Sequence, residues 1–394
     1  MKKNWERGKL ADYIQDFIVP QRDKPKFFDG SIPWCRIEDI DGVFLSKSKS
    51  GKCVTQEVIR EMPLRVFPRN TVIVSCSADL GRCAIVSTPL VTNQTFIGLV
   101  PKATLSPLFL YHLMTSKAEE LNASATGATI KYLSQNKFKT IDISVPPLPE
   151  QQRIVSILDE AFERIATAKA NAEKNLHNAR ALFDSHLNAM FAPHGSRCTE
   201  QPLENVCSFS SGGTPSKKNN GYWNGDIPWV SGRDMKSTRL SDAALHISKK
   251  AVDESSTRMA PAGALLILVR GMGLAHGAQI AELMIPCAFN QDIRAIHPSN
   301  NLIPRYLLFA LRVRINTSDN VLSNAAHGTL KINSDELRRV MIPTPSQGHQ
   351  QSVVAKIDSL FEETQHLESI YQQKLAALDE LKKSLLHQAF TGQL

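Results

Sequence analysis

The sequence contains one ordered series of short motifs twice, with the copies about 195 to 200 positions apart. The paired motifs are DGSIPW at 29–34 and NGDIPW at 224–229, NQ at 93–94 and 290–291, GATIK at 127–131 and GTLK at 328–331, and QQRIV at 151–155 and QQSVV at 350–354. Solenoid repeats are only about 20 to 50 residues long, so a period of this length indicates a duplicated domain. A chain with two similar domains is suited to gripping a partner that has two ends.

Length and charge limit the class of protein further. A chain of 394 residues exceeds what one hydrophobic core usually serves, which agrees with two domains. The net charge of +8 favours a polyanionic partner such as nucleic acid. No apolar run approaches the roughly 20 residues of a membrane span, and no signal peptide begins the chain. Seven cysteines without a Cys-x-x-Cys pair predict reduced thiols in a cytoplasmic protein and no structural zinc site.

Each half begins with short strand-like runs broken by Gly, Pro, Asn and Ser. The runs at 71–76 and 83–86 flank a turn at 79–81 and predict a hairpin, and 264–269 and 278–281 predict its counterpart. Short helices that open with Pro107 and Pro304 follow. We therefore expect an α+β fold with two similar mixed α/β domains. Their expected limits are 1–149 for the first head, 150–192 for a central spacer helix, 193–345 for the second head and 346–394 for a distal helix.

A proline cluster ends each head and is followed by a long helical pattern. The first pattern runs without proline or glycine from Glu150 to about Phe191, and the second runs from about Gln350 to Phe390. Apolar residues spaced alternately by three and four predict a coiled-coil seam, and a helix of about 40 residues would be about 60 Å long. The second stripe is predicted to run through Val353, Ile357, Leu360, Thr364, Leu367, Tyr371, Lys374, Leu378, Leu381, Leu385 and Gln388.

Two helices of equal length in one chain favour pairing with each other. An antiparallel coiled coil would place the heads at opposite ends, related by a pseudo-twofold axis. A homodimeric coiled coil and a lone packing helix are the alternatives that the pattern leaves open.

Five strings, in this order and with long helices between them, are typical of one family. They are FDGSIPW at 28–34, VPPLPEQQRIV at 145–155, SGGTPS at 211–216, GYWNGDIPW at 221–229 and LLHQAFTG at 385–392. Over essentially its whole length the chain resembles the specificity subunit of type I restriction-modification systems. It departs from the family pattern at 17–26, where the first head lacks the Gly-Gly-Thr-Pro string.

The resemblance implies two target-recognition domains, each reading one half of a bipartite site in double-stranded DNA. It also implies that modification (methyltransferase) subunits, two in number, dock on this scaffold. Restriction subunits, which are ATP-dependent translocases and nucleases, would join through the complex. The paired helices would then act as a ruler, so that about four residues inserted near Ala172 would lengthen the gap between half-sites by about one to two base pairs.

The sequence lacks the motifs of an enzyme that acts alone. The string SKSKSGKC at 46–53 does not match a P-loop at the motif's first and last positions. An adenine methyltransferase would require Asn or Asp before a pair of prolines, whereas Pro146-Pro147 follow Val145. The glycines at 271 and 273 are better explained by a hairpin turn than by a nucleotide loop. We therefore expect a non-catalytic protein without a cofactor. The alternatives are a protein-binding adaptor with a coiled-coil spacer and, third, an enzyme.

The duplication also separates scaffold from base readers. Features shared by both heads are poor candidates for reading different half-sites, because phosphates and scaffold carry no sequence information directly. By this rule Trp34 and Trp229 are core anchors, and the two Asn-Gln pairs cap backbone. The candidate phosphate contacts are Lys131 and Lys331. The candidate base readers in the divergent loops are Arg36, Lys47, Lys49, Lys52 and Arg82 in head one, and Lys217, Lys218, Arg233, Lys236, Arg270 and His276 in head two. At each of these positions a solvated charge or a phosphate contact is the alternative.

Overall fold

The structure is a computed structural model and describes residues 4–20, 24–77, 79–125, 131–192, 199–318, 320–324 and 330–394. The chain divides into two compact units, residues 1–174 with 371–394 and residues 175–370. Each unit contains one copy of the repeat together with parts of both long helices. Within the described residues, no helix combines the length and apolar character needed to cross a membrane.

The first copy alternates short strands with short helices. In chain order its elements are β1 (Glu6–Lys9), α1 (Leu10–Tyr13), β2 (Ile14–Ile18), β3 (Ile32–Cys35), β4 (Phe44–Leu45), β5 (Cys53–Val54), α2 (Gln56–Glu61), β6 (Val72–Ser75), β7 (Cys83–Val86), β8 (Val91–Thr92), β9 (Phe96–Pro101), α3 (Pro107–Ser116), α4 (Ala118–Ser124), α5 (Gln135–Lys139) and β10 (Asp142–Val145). The long helix α6 (Leu148–Phe191) follows directly.

The second copy repeats this succession with small differences. Its elements are β11 (Glu200–Pro202), α7 (Leu203–Val206), β12 (Cys207–Ser211), β13 (Ile227–Val230), β14 (Arg239–Leu240), β15 (Leu245–Ile247), α8 (Lys249–Glu254), β16 (Arg258–Ala260), β17 (Leu265–Leu268), β18 (Ile280–Leu283), β19 (Cys287–Phe289), β20 (Ile293–Pro298), α9 (Pro304–Asn316), β21 (Leu322–Asn324), β22 (Leu330–Ile332), α10 (Ser334–Arg339) and β23 (Met341–Pro343). The second long helix, α11 (Gln347–Thr391), then begins.

Both copies build the same central sheet. Its five strands have the order β2-β9-β6-β7-β4 in the first copy and β12-β20-β17-β18-β14 in the second. The strands pair antiparallel except β4 and β14, which run parallel to β7 and β18. A smaller sheet contains the Ile-Pro-Trp strands, β3 beside β8 and β13 beside β19, both pairs parallel. The predicted mixed α/β heads, each followed by a long helix, are confirmed.

The two predicted hairpins are also confirmed. Strands β6 and β7 pair antiparallel, and the turn between them contains Asp79 and Gly81 with positive φ angles of 45° and 85°. Strands β17 and β18 pair in the same way. The second connection contains a short 3₁₀ helix, Met272–His276, that the sequence did not indicate. It lies between Gly271 and Gly277, whose positive φ angles of 139° and 94° suit glycine.

The repeated glycine of the Ile-Pro-Trp motif is explained by a close backbone approach. A Cβ atom on Gly30 would lie 2.0 Å from the carbonyl carbon of Val54, and one on Gly225 would lie 2.2 Å from the carbonyl oxygen of Ile247. Both approaches are far shorter than any real Cβ contact, so only glycine fits where the chain passes β5 and β15.

The long helices contact each other in antiparallel fashion within each unit. In residues 1–174 with 371–394, Lys169 forms an ion pair with Asp379, and the Lys382 ammonium lies 4.9 Å from the Phe162 ring centroid. In residues 175–370, the Arg180 Nε atom lies 2.8 Å from Glu368 Oε1, and Phe183 packs edge-on against Phe361. As the contacts move toward the C-terminal end of α6, they move toward the N-terminal end of α11. This trend confirms the predicted antiparallel pairing.

The predicted seam is correct for α6 and partly wrong for α11. Along α6, the predicted seam is buried or half-buried at every position. Its residues are Ile154, Leu158, Ala161, Ile165, Ala168, Ala172, Leu176, Ala179, Phe183, Leu187 and Met190. Along α11, Leu367 and Leu381 are 41% and 46% exposed, and Lys374 is exposed while its neighbour Leu375 is half-buried. Closely spaced leucines allow two stripes with the same three-four spacing, and packing against the first head selects the one that buries Leu386 and Ala389.

A buried glutamine ties each head to the start of its long helix. The Oε1 atom of Gln151 accepts from the Ser106 N–H at 2.8 Å, and its Nε2 atom donates to the carbonyls of Thr104 and Pro146 at 2.9 and 2.8 Å. Gln350 repeats these contacts: it accepts from the Ile303 N–H and donates to the carbonyls of Asn301 and Pro345, each at 2.9 Å. Both side chains are fully buried and hydrogen-bonded, as a buried amide requires.

Candidate nucleic-acid interface

A cluster of cations surrounds the Ile-Pro-Trp tryptophan of the first head. Trp34 is buried at the end of β3 and packs against Phe28, with ring centroids 5.2 Å apart. The Lys24 and Lys52 ammonium groups lie 5.8 and 5.9 Å from the Trp34 centroid, and the Arg36 guanidinium lies 5.7 Å from it. The structure thus brings together two predicted readers, Arg36 and Lys52, and adds Lys24, which the sequence did not single out. Cation–π contacts of this kind hold the charged groups in place.

The second head has the aromatic pair but lacks these cations. Trp223 and Trp229 occupy the positions of Phe28 and Trp34, 195 residues later, and their centroids are 5.0 Å apart. Trp229 is buried, as predicted for both tryptophans, and its Nε1 atom donates to the Gly213 carbonyl at 3.1 Å. At the same offset, Lys24 and Arg36 correspond to Asn219 and Ser231. Lys52 lies beside Trp34 as Leu245 lies beside Trp229, because the strand register places Val54 and Ile247 at equivalent positions.

An aspartate holds the loop that follows the tryptophan in each head. In the first head, Asp39 Oδ2 accepts from the Arg36 N–H at 2.6 Å, and its Oδ1 accepts from the Lys49 N–H at 2.7 Å. In the second head, Asp234 Oδ2 accepts from the Ser231 N–H at 2.8 Å, and its Oδ1 accepts from the Ala244 N–H at 2.9 Å. All three positions are offset by 195 residues. We call these segments, residues 36–49 and 231–244, the clamped loops.

The clamped loops contain five of the predicted readers. They are Arg36, Lys47 and Lys49 in the first head and Arg233 and Lys236 in the second. All except Arg36, which is half-buried, are exposed. The clamping aspartates were missed in the sequence, although the constant offset of 195 residues between the two segments was a signal that could have revealed them.

Arg82 lies behind the clamped loop of the first head. Its Nη2 atom donates to the Ile40 carbonyl at 2.8 Å, and its Nη1 atom lies 3.1 Å from Asp79 Oδ2. The guanidinium therefore connects the β6–β7 turn to the residue after the clamping aspartate. This predicted reader is therefore engaged by protein groups.

In the second head the hairpin and a later strand bring two other candidates together. Arg270 and Lys331 are partners in an isolated antiparallel bridge, and both side chains are exposed. Lys131 of the first head is also exposed, beside Tyr132, which bridges to Ser77. The glycine turns before the two lysines, at 126–130 and 325–329, lie outside the described residues. His276 ends the 3₁₀ helix of the hairpin, and its side chain is likewise not described.

Lys217 and Lys218 are exposed in the loop that crosses the tryptophan pair of the second head. The Ser216 carbonyl accepts from Trp223 Nε1 at 3.2 Å, which fixes the loop just before the two lysines. The Asn-Gln pairs serve local structure: Asn290 Oδ1 accepts from the Asp292 N–H at 3.1 Å, and Asn93 Oδ1 accepts from the Thr95 hydroxyl at 2.6 Å. Backbone capping is thus confirmed for Asn290.

The described residues include free cysteines and other side chains of the kinds that bind metal ions. Across the ranges that the structure describes, no group of three or more His, Cys, Asp or Glu side chains could hold a metal ion. Burial raises the pKa of the Cys35, Cys76, Cys83 and Cys207 thiols to about 12, so these thiols stay protonated at neutral pH and are poor nucleophiles.

Comparison with known families identifies both heads. The model of the type I restriction modification DNA specificity domain matches twice, at residues 3–176 and 198–376. The chain belongs to the type I restriction-modification specificity subunits. It therefore contains two DNA specificity domains.

Curated relatives agree with this family. The MjaIX specificity subunit of Methanocaldococcus jannaschii is 23% identical over 416 residues, which cover 100% of this chain and 94% of that protein. The EcoR124I/EcoR124II specificity subunit of Escherichia coli is 29% identical over 234 residues, which cover 58% of this chain and 57% of that protein. The second match thus spans little more than half of either protein.

Solved structures share the fold. A chain from a study of complex assembly and conformational transition of the type I R-M system has a TM-score of 0.80 at 20% identity, covering 100% of this chain and 99% of that one. The HsdS subunit from Thermoanaerobacter tengcongensis has a TM-score of 0.62 at 19% identity, covering 100% and 98%. The specificity domains described above therefore have the fold of solved specificity subunits.

Proposed function

We propose that this specificity subunit reads a bipartite site in double-stranded DNA, with one half-site for each specificity domain. The observation that carries the proposal is the pair of clamped loops, which share one backbone arrangement but present different charged side chains. Two domains that share a scaffold and differ at exposed positions are suited to reading two different sequences. The net charge of +8 favours the same partner.

The predicted contact residues form part of this proposal. Base reading falls to Arg36, Lys47 and Lys49 of the first clamped loop and to Arg233 and Lys236 of the second. It falls also to Lys52 and Arg82 in the first domain and to Lys217, Lys218, Arg270 and His276 in the second. Lys131 and Lys331 contact phosphates. Arginine and lysine suit the base role because they can donate to the O6 and N7 atoms of guanine in the major groove.

In this proposal the chain is not itself an enzyme and binds no cofactor. Two modification subunits dock on it and supply the methyltransferase, and ATP-dependent restriction subunits join through the complex, in the cytoplasm. Support comes from the family and from the similar chain that was solved in a study of type I R-M complex assembly. The isolated chain should transfer no methyl group from S-adenosylmethionine to DNA.

Salt-dependent DNA binding tests this function against a protein-binding adaptor. Neutralised phosphates release counterions, so the affinity for a duplex of mixed sequence should fall steeply between 50 and 200 mM salt, by about a thousandfold if some six phosphates are contacted. Fluorescence anisotropy of a labelled duplex measures it. An absence of DNA binding at low salt, with the protein folded, would favour the adaptor.

A further inference from the structure

The clamped loops place opposite charges at equivalent positions. With the offset of 195 residues, Glu38 corresponds to Arg233 and Asp41 to Lys236, so acids of the first domain become bases in the second. Further pairs are Arg36 with Ser231, Lys47 with Asp242 and Lys49 with Ala244. The charge changes at all five positions, although the aspartate that holds the loop is unchanged.

The framework that precedes and holds the loops does not change in this way. The Ile-Pro-Trp strands, the aromatic pairs and the two clamping hydrogen bonds recur in both domains. The clamping hydrogen bonds hold the amides of residues 36 and 49 in the first loop and of residues 231 and 244 in the second. The loops therefore share two anchored backbone amides and differ in the charged side chains that they present.

We propose that the clamped loop is the base-reading element of both specificity domains, and that the charge-changed positions determine which half-site each domain reads. This inference deepens the proposed function and rests on it. The determining pairs are Arg36/Ser231, Glu38/Arg233, Asp41/Lys236, Lys47/Asp242 and Lys49/Ala244. Asp39 and Asp234 are positioning residues, because they act through the backbone amides that they hold.

Base chemistry explains why such positions would change charge. Guanine presents acceptors in the major groove and pairs with arginine or lysine, whereas cytosine presents an amino donor and pairs with a carboxylate. A change from Glu38 to Arg233 on a fixed loop thus exchanges an acceptor for a donor. A different base is then favoured at the same place in the groove.

The charged side chains are accessible and can change partner. Arg36 Nη2 lies 2.5 Å from Glu38 Oε1, and Lys49 Nζ lies 3.6 Å from Asp41 Oδ2, so these charged groups pair with each other within the first loop. The Glu38, Asp41 and Lys49 side chains are each at least half exposed. Exposed ion pairs are weak, so base edges can compete for these groups.

An exchange of side chains between the loops tests the proposal in the complete complex. The double variant Ser231→Arg with Arg233→Glu gives the second domain the first domain's residues at two determining positions. The methylated motif is read from the DNA of cells that carry the complete system with either the wild-type or the variant subunit. We expect the second domain's half-site to change, its original sequence to be methylated about 5- to 150-fold less, and the other half-site to stay the same.

Two further variants make the result specific. Arg339→Glu makes the same charge reversal as Arg233→Glu on α10, outside the clamped loop, and should leave the whole motif unchanged. Asp234→Ala removes the clamp and should widen the bases accepted in the second domain's half-site without changing the first domain's half-site. Thermal melting of each purified variant shows that it is folded at the assay temperature.

The outcomes separate the two proposals. An unchanged motif for the double variant, or a change in both half-sites, overturns the assignment of the clamped loops. An Asp234→Ala variant that keeps full selectivity overturns the positioning role. A wild-type complex that methylates no bipartite motif overturns the proposed function itself.

Discussion

The two specificity domains use the same contacts where they meet the long helices and different residues in their exposed loops. Gln151 and Gln350 each join three segments through the same three hydrogen bonds. The same edge-on aromatic contact also recurs, as Phe109 with Phe390 at 5.2 Å and as Tyr306 with Phe191 at 5.3 Å. The clamped loops instead retain their backbone contacts and change their charges. The difference separates the shared scaffold from the loops in which we place base reading.

One contact with the long helices differs between the domains. In the first domain, the Oδ1 atom of Asp159 lies 2.9 Å from His112 Nε2. Its counterpart Asp358 instead pairs with the buried Arg305, whose Nη2 atom lies 2.9 Å from Asp358 Oδ1. The acid is retained and its partner has been replaced by one from another position on the helix. We expect this difference to give the contact of the first domain a pH dependence through His112.

The largest expected effect comes from substituting the glycine that both domains share. We expect Gly30→Ala and Gly225→Ala each to destabilise the protein by about 3 kcal/mol or more, because the added Cβ would overlap backbone. Denaturant unfolding measures the loss. Gly348→Ala is the matched control, since nothing lies within 4 Å of its Cβ and helix propensity favours alanine. Equal stability of Gly30→Ala and wild type would show that the close approach is not real.

A smaller effect should separate a base reader from a phosphate contact in the second domain. Arg270→Ala should reduce DNA affinity by about 1 to 3 kcal/mol for the cognate half-site and relax its selectivity at one position. Lys331 is the bridge partner of Arg270, and Lys331→Ala should weaken binding to all sequences alike. It should also reduce the slope of log affinity against log salt concentration by about one. Anisotropy with cognate and mixed duplexes measures both. Identical effects of the two variants would contradict the division of roles.

The smallest effect concerns pH and the helix contact of the first domain. Burial lowers the pKa of His112 below its ordinary 6.5, although Asp159 opposes the shift and Lys382 adds to it. The unfolded chain therefore takes up the proton first as the pH falls through 6.5, so stability is complete above that value and declines below it. Between pH 7.5 and 5.5, the His112→Gln variant should lose up to about 1 kcal/mol less unfolding free energy than the wild type.

Denaturant unfolding at both pH values measures that difference. His297 contributes in the same direction, because burial lowers its pKa as well, so some acid sensitivity should persist in the variant. Arg305→Lys, at the corresponding contact of the second domain, should leave the pH dependence as in wild type. If the unfolding free energy falls equally between pH 7.5 and 5.5 in the wild type and in His112→Gln, His112 is not responsible for the pH dependence.

Much of the fold could be predicted because the chain repeats it. Proline clusters mark the ends of the heads, and the three-four spacing along α6 has one apolar stripe, so its seam was correct. The stripe of α11 was ambiguous because leucines at 375, 378, 381, 385 and 386 fit more than one face. Packing against the first head decides between these faces, and no local pattern contains that information.

The candidate site was harder to predict because the residues that hold its loops belong to no recognisable motif. Asp39 and Asp234 lie in unremarkable loops, and their role depends on amides ten residues further along the chain. Lys24 joins the Trp34 cluster only through folding. The rule that shared features are scaffold and divergent ones are readers did select five residues of the clamped loops, because it compares copies and needs no coordinates.

Replacing one domain tests most directly whether each specificity domain reads its own half-site. Residues 193–345 are exchanged for the matching part of a related specificity subunit that recognises a different motif, and methylated positions are mapped in cells that carry the complete system. We predict that one half-site changes to that of the donor while the other half-site remains. A change in both half-sites, or in neither, would contradict independent reading by the two domains.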